Sequence, residues 1–311
     1  MRQSSAKLLA SWPSRDATPR RGFYHSSNGN TTRIDGWYFL WAGILVSDME
    51  THTYWQRQTP DKALFPDIEW NKPEQRAHAG KFGIIGGNKL GFVAVGDAYT
   101  IATGAGVGQV RALLPDVLKK SVPPVITDII YGATNPSGSL ARDAGADMHA
   151  IGAWADGVLL IGDSGRNSET AILYEDFLRS YTGMLTITRD AVDLLLNAPE
   201  ALVERDRTLL VVSFAQLQKI FSKVYYPKIL TFSMQLQQLV EALHKFTITY
   251  PVTIATYHQD QLVIASAGQV TTTHWENPMS IWKGAVATHA AVYWLWSPAK
   301  PLQATTASLV G

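Results

Sequence analysis

Cysteine is absent from the 311 residues. The chain therefore has no disulfide framework, no thiolate metal site and no cysteine nucleophile. The absence accords with a reducing compartment, and a cytoplasmic protein is the expectation. Charge is sparse as well. Asp, Glu, Lys and Arg make up 17% of the chain, against about a quarter in ordinary domains. With 46% hydrophobic residues, this composition excludes chain-wide disorder and a long coiled coil. Twenty-seven basic residues stand against 26 acidic ones, without a long Lys/Arg run, so the electrostatic footprint of a nucleic-acid binder is missing. The eight His show no close metal-ligand spacing, and no dedicated metal site is expected. A Walker A motif is absent too. The apolar run Trp37 to Val46 covers ten residues, whereas crossing a bilayer takes roughly 20. It also lies too far along the chain for a signal-peptide core, so no membrane partner is expected.

What is present divides unevenly. Residues 1 to 48 carry six basic and three acidic residues, net +3, leaving the remainder at 21 against 23. Residues 1–57 are read as a partly disordered N-terminal extension, with Met49 an alternative start, and residues 58–311 as one α/β domain. The domain alternates strand-like and helix-like segments. Strand Phe82 to Ile85 precedes helix Val93 to Thr103. Strand 108–114, short helix Pro115 to Ser121 and strand Val125 to Tyr131 follow. A Gly/Ala-rich helix near 138–153 leads to strand Gly157 to Ile161. Helix Ser168 to Tyr181 is expected to close on Gly183 as a left-handed cap. Strand Leu185 to Thr188 runs into Asp190, expected to cap helix Ala191 to Asn197 with Asp193 in capping-box register. Strand Leu209 to Ser213, helix Ala215 to Val224 and a helix near 230–246 come next. A hairpin then spans Val252 to Thr273, before helices Lys283 to Trp296 and 302–309. This rhythm predicts a mostly parallel sheet covered on both faces.

In such sheets ligands bind beyond the carboxyl ends of the strands. Four junctions there draw attention: Gly86-Gly87-Asn88, Gly162-Asp163-Ser164-Gly165, Ser213-Phe214-Ala215-Gln216, and Asn277 to Gly284. Glycine lets backbone approach a ligand, and helix-start N–H groups favour anions. Gly104-Ala105-Gly106-Val107-Gly108 follows a helix rather than a strand and has Gln109 in sixth position, which excludes a dinucleotide fingerprint.

Taken in order, these junctions resemble the ADP/ATP-dependent NAD(P)H-hydrate dehydratases of the ribokinase-like superfamily. The matching segments are His78-Ala79-Gly80-Lys81-Phe82-Gly83, Gly86-Gly87-Asn88, Gly104-Ala105-Gly106, Ile161 to Gly165, Thr188 to Val192, and the Ser213 to Gln216 corner. The resemblance covers roughly Trp70 to Leu309. It implies a three-layer α/β/α sandwich with a mostly parallel central sheet and a C-terminal β-hairpin. It also implies ATP or ADP, possible Mg2+, NAD(P)HX as substrate, and a homo-oligomer. Substrate is expected at Gly86, Gly87, Asn88 and Gly104. Nucleotide is expected at Gly162, Ser164, Gly165, Ser213, Gln216, Thr256 and Trp282.

The departures bear on chemistry. The family carries Gly-Gly-x-Gly-Asp at a helix start, where its Asp activates the substrate hydroxyl. Here Met279 to Val286 stands in its place, with the Asp expected at Gly284. A family Lys is expected at Thr256, a His at Ser213 and a Glu at Gln216. Asp163, Asp190 and Lys283 are the candidate substitutes, Asp190 also being a candidate helix cap. His78, His258 and His289 are read as structural. Trp275, Trp282, Tyr293, Trp294 and Trp296 are read as packing or subunit contacts, with nucleotide stacking the alternative. Two readings remain open: an NAD(P)H-hydrate dehydratase or related small-molecule kinase, or a catalytically silent nucleotide-binding relative with a regulatory or assembly role.

Overall fold

The computed structural model describes residues 53 to 310 apart from Pro60; the expectations for residues 1 to 52 lie outside the described residues. Ten strands form one sheet: β1 (Trp55–Gln58), β2 (Lys81–Gly86), β3 (Gln109–Pro115), β4 (Ile129–Gly132), β5 (Gly157–Gly162), β6 (Met184–Thr188), β7 (Thr208–Val212), β8 (Thr253–His258), β9 (Gln261–Ser266) and β10 (Gln269–His274). Their spatial order is β1-β10-β9-β8-β7-β6-β5-β2-β3-β4. Strands β2 to β8 pair in parallel, while β9 is antiparallel to both β8 and β10. Strand β1 lies parallel to β10, so the sheet begins three residues before the domain boundary expected at Gln58.

Strand β5 is buried from end to end. Val158 and Leu160 face one apolar core while Leu159 and Ile161 face the other. This is why a strand covered on both faces reads as a continuous apolar run. One core packs under α1 (Val93–Ala105), α9 (Ala285–Trp296) and α10 (Pro301–Ala307). The opposite core packs under α2 (Gly145–Trp154), α3 (Ser168–Ser180), α4 (Asp190–Leu195), α5 (Pro199–Glu204), α6 (Phe214–Lys223) and α7 (Leu236–Thr249). The short helix α8 (Pro278–Trp282) precedes α9. The architecture is the expected α/β/α sandwich with a C-terminal hairpin. Among the described residues no helix is long and apolar enough to cross a membrane.

Strand order places the site. From β2 the chain moves outward through β3 and β4, and from β5 it moves the other way through β6, β7 and β8. The crevice beyond the carboxyl ends of β2 and β5 is therefore the topological switch point. Gly86 pairs with Gly162 there, and the Gly87 N–H donates to the Gly162 carbonyl at 2.8 Å.

Two local expectations are corrected. Helix α3 ends on extended Tyr181 rather than on a left-handed Gly183, because Arg205 donates to the carbonyls of Tyr181 and Gly183 and organises that turn. Asp190 does not cap its own helix. Arg189 occupies the cap position with φ 57° and makes no side-chain cap bond, since the Asp190 carboxylate is engaged across the crevice.

Candidate functional site

The loop after β5 turns its N–H groups inward. Asp190 Oδ1 accepts from the Asp163 N–H at 2.7 Å, and Oδ2 accepts from Ser164 and Gly165 at 2.9 and 2.8 Å. Gly162 makes this approach possible: its φ is 89°, and a Cβ there would collide with the Asp190 carboxylate. Burial pushes the Asp190 carboxyl above its ordinary range, and the N–H groups of Gly165 and Asp163 pull it back. The anion cradle in the Gly-rich loop is thus filled by the chain's own carboxylate.

Asp163 is held from two other sides. Its Oδ2 accepts from the Ala94 N–H at the start of α1 at 2.9 Å. Its Oδ1 pairs with the Arg189 guanidinium, whose other arm donates to the Trp282 carbonyl at 3.0 Å. The Arg189 Nε is buried and has no hydrogen-bond partner among the described residues. Gln216 secures the Arg189 backbone by donating to its carbonyl at 2.7 Å, and also donates to Asp193 at 2.7 Å. The Gln216 Oε1 accepts from the Ser213 N–H, and the Ser213 hydroxyl accepts from the Gln216 N–H, which closes a capping box on α6. The Ser213 corner is therefore first a helix cap.

Two clefts flank Arg189. A cleft of about 520 Å³ is lined by Asn88, Gly91, Ala94, Asp97, Gly165 and Lys283, and one of about 400 Å³ by Thr188, Asp193, Ser213, Gln216, Lys219 and Trp282; both also border on Asp163, Arg189 and Asp190. Asn88 is pinned by a 2.6 Å bond to Ser139 and by accepting the Leu90 N–H. Ser139 in turn donates to the Ser164 carbonyl, and the Ser164 hydroxyl bonds the buried Tyr174 hydroxyl at 2.6 Å. Burial raises the Tyr174 pKa, which keeps the phenol neutral.

Of the expected site residues, Asn88, Asp163, Gly165, Ser213, Gln216, Trp282 and Lys283 line these clefts. Gly86 and Gly87 lie just beneath them, at the strand exit. Gly104 lies in the last turn of α1, about 15 Å along the helix from its start, and faces open space. Thr256 is fully buried inside the sheet in register with Val212, and lines neither cleft. Of the crowded aromatics, Trp282 alone borders either cleft, the smaller one, while Trp294 is core and Trp296 bonds the Ala79 carbonyl. Ala255 and Thr256 of β8, packed into the sheet, leave no cation where the resemblance called for a Lys.

Gly284, where the resemblance placed the family Asp, has φ 91° and α9 begins at Ala285. Neither residue carries a carboxylate.

The donors at this site suit an anion better than a divalent cation. Asp163 and Asp190 are bound as described, Asp193 is bound by Gln216 and by Lys219 at 2.7 Å, and among the described residues no group of three His, Asp or Glu gathers. These residues do not fit Mg2+. The guanidinium of Arg189, with a spare buried N–H beside the start of α9, does fit a phosphate.

No protein-family model matches the chain, and no curated protein matches its sequence. Solved structures do. An Enterococcus faecalis V583 protein of the ribokinase-like superfamily superposes with TM-score 0.60 at 12% identity, over 82% of this chain and 86% of that one. The chain has the ribokinase-like fold. A hypothetical protein from Streptococcus mutans matches at TM-score 0.60 and 13% identity, over 78% and 85%. A Bacillus subtilis ADP/ATP-dependent NAD(P)H-hydrate dehydratase, co-crystallised with ATP and Mg2+ and soaked with CoA, matches at TM-score 0.50 and 12% identity, over 78% and 84%. At such identities the likeness carries the fold. Within that ribokinase-like fold, Arg189 and the 135–139 loop are the site features that sequence reading missed. The signal available for Arg189 was a basic residue between a strand end and Asp190, itself read as a candidate substitute base or helix cap.

Proposed function

We propose that this chain is a nucleotide-binding protein of ribokinase-like fold in which the phosphoryl transfer implied by the dehydratase resemblance has been lost. An adenine nucleotide occupies the cleft between Ser213 and Trp282 with its phosphates toward Arg189. A nicotinamide dinucleotide or similar ligand occupies the cleft over Asn88. The observation that carries this reading is the engagement of Asp163. The carboxylate between the two clefts is bound to Arg189 and to the Ala94 N–H, and is not free to take a proton from a hydroxyl. Gly284 and Ala285 offer no replacement, and loss of a positioned base costs about 10² to 10⁴ in rate.

One observation favours a second reading, a working dehydratase or small-molecule kinase. Asp97, exposed on α1, lines the Asn88 cleft and also the small cavity beside Lys283, Gly284 and Ala285. It is a carboxylate on the correct side of α9 to serve as base.

Two measurements on the full chain separate these readings. ADP is titrated calorimetrically, and NADHX is incubated with ATP or ADP while absorbance at the reduced nicotinamide band is followed. Saturable ADP binding without absorbance recovery is the expected result. Recovery abolished by Asp97→Asn would establish the second reading, and absence of both binding and recovery would overturn both.

A further inference from the structure

The Arg189 side chain stands on the boundary of the two clefts, and its surroundings are built to hold it there. Its backbone adopts φ 57° with ψ −139°, a positive-φ conformation that a long side chain rarely takes and that persists only where neighbours enforce it. The neighbours are identifiable. Gln216 bonds the Arg189 carbonyl at 2.7 Å, and Asp190, the next residue, is fastened into the loop after β5 by three N–H groups. The side chain then passes beside Gly284, where a Cβ would lie 3.4 Å from the Arg189 Cδ. The guanidinium finishes between Asp163 and the Trp282 carbonyl, with Nε buried and unmatched.

We infer that Arg189 is the phosphate-recognising residue of this site and that Asp163 is an internal anion competing with the ligand for it. The inference rests on the nucleotide reading above. The ligand class is a compound bearing a terminal phosphate or diphosphate. Only a guanidinium offers a rigid fork that two phosphate oxygens can share, and here one arm of that fork is ion-paired with Asp163. A bound phosphate takes over this arm and the unmatched Nε. Asp163 keeps its bond to the Ala94 N–H and so remains in place as the counter-anion when the ligand leaves. The geometry also accounts for two clefts rather than one continuous groove: the ion pair spans the place where a phosphate passing from donor to acceptor would lie.

Substitutions of opposite sign test this. ADP and adenosine are titrated into the full chain and into Arg189→Ala, Arg189→Lys and Asp163→Asn. Arg189→Ala is expected to weaken ADP by roughly 10- to 100-fold, the worth of a charged hydrogen bond, and to leave adenosine unchanged. Arg189→Lys is expected to fall between, since it keeps the charge and loses the fork. Asp163→Asn retains an acceptor for the Ala94 N–H and removes the competing charge, so ADP binding should tighten. A merely structural ion pair gives a different pattern, in which breaking it from either side weakens both ligands alike; that result, or ADP binding insensitive to all three changes, overturns the inference while the nucleotide reading stands. Failure of the wild-type chain to bind either ADP or adenosine overturns both.

Discussion

The carboxylate of Asp190 accepts the buried N–H of Ser164 at 2.9 Å, tying the start of α4 to the exit of β5 across the switch point of the sheet. Three backbone donors in all depend on that one side chain. Asp190→Ala leaves them without that acceptor, and an unmatched buried donor costs about 1 to 3 kcal/mol. Because Gly165 is exposed and can turn to water, the predicted net loss is about 2 to 4 kcal/mol. Urea unfolding of the two proteins checks this, with Asp190→Asn expected to fall between them.

Restoring an acid at the last helix depends on which residue is chosen. At Gly284 a new Cβ would lie 2.9 Å from Ile161 Cδ1 on a backbone with φ 91°, so Gly284→Asp should cost about 2 kcal/mol from left-handed strain and crowding. Ala285 is the first residue of α9, where a negative charge stabilises by about 0.3 to 1 kcal/mol. Thermal melting of Ala285→Asp should therefore match or exceed wild type. Any gain in NADHX turnover is expected from this variant and not from Gly284→Asp.

Burial lowers the His289 pKa below its ordinary value of 6.5. The unfolded chain then binds the proton more readily than the folded one, so stability rises with pH across this window. The contribution is complete above 6.5 and is lost as pH falls from 6.5 toward the depressed value. Denaturant midpoints measured across that range should decline for wild type, and the decline should be shallower in His289→Gln.

Gln216 joins three functions in one amide: the cap of α6, the Asp193 contact and the hold on the Arg189 carbonyl. Gln216→Ala is predicted to lose about 1 to 2 kcal/mol through the cap and the unmatched carbonyl. It should also weaken ADP, because Arg189 is no longer held in its strained positive-φ conformation. Gln216→Glu keeps the acceptor for Ser213 but sets a second carboxylate oxygen against Asp193 and the Arg189 carbonyl, so it should retain no more stability than Gln216→Ala and also lose ADP affinity. Calorimetry beside unfolding separates the two effects.

The sheet could be read from the chain because strands such as Val158 to Ile161, buried on both faces, leave an apolar run that glycine and helix caps punctuate. Strand β1 could not, since Trp55 to Gln58 holds a single fully buried side chain, Gln58, and its pairing with β10 joins segments more than 200 residues apart. The junctions Gly162 to Gly165 and Ser213 to Gln216 were legible as turns and helix starts. What occupies them was not. Asp190 reads locally as a helix cap with Asp193 in register, and only the fold brings the β5 loop to its carboxylate. Thr256 matched a spacing, but on a central strand its side chain is fully buried against one face of the sheet and lines neither cleft.

The most direct test of the nucleotide assignment is a calorimetric titration of ADP into the full chain, repeated with Arg189→Ala. The account predicts saturable binding by wild type, and a loss of roughly 10- to 100-fold in the variant. A wild-type chain that does not bind ADP would contradict it.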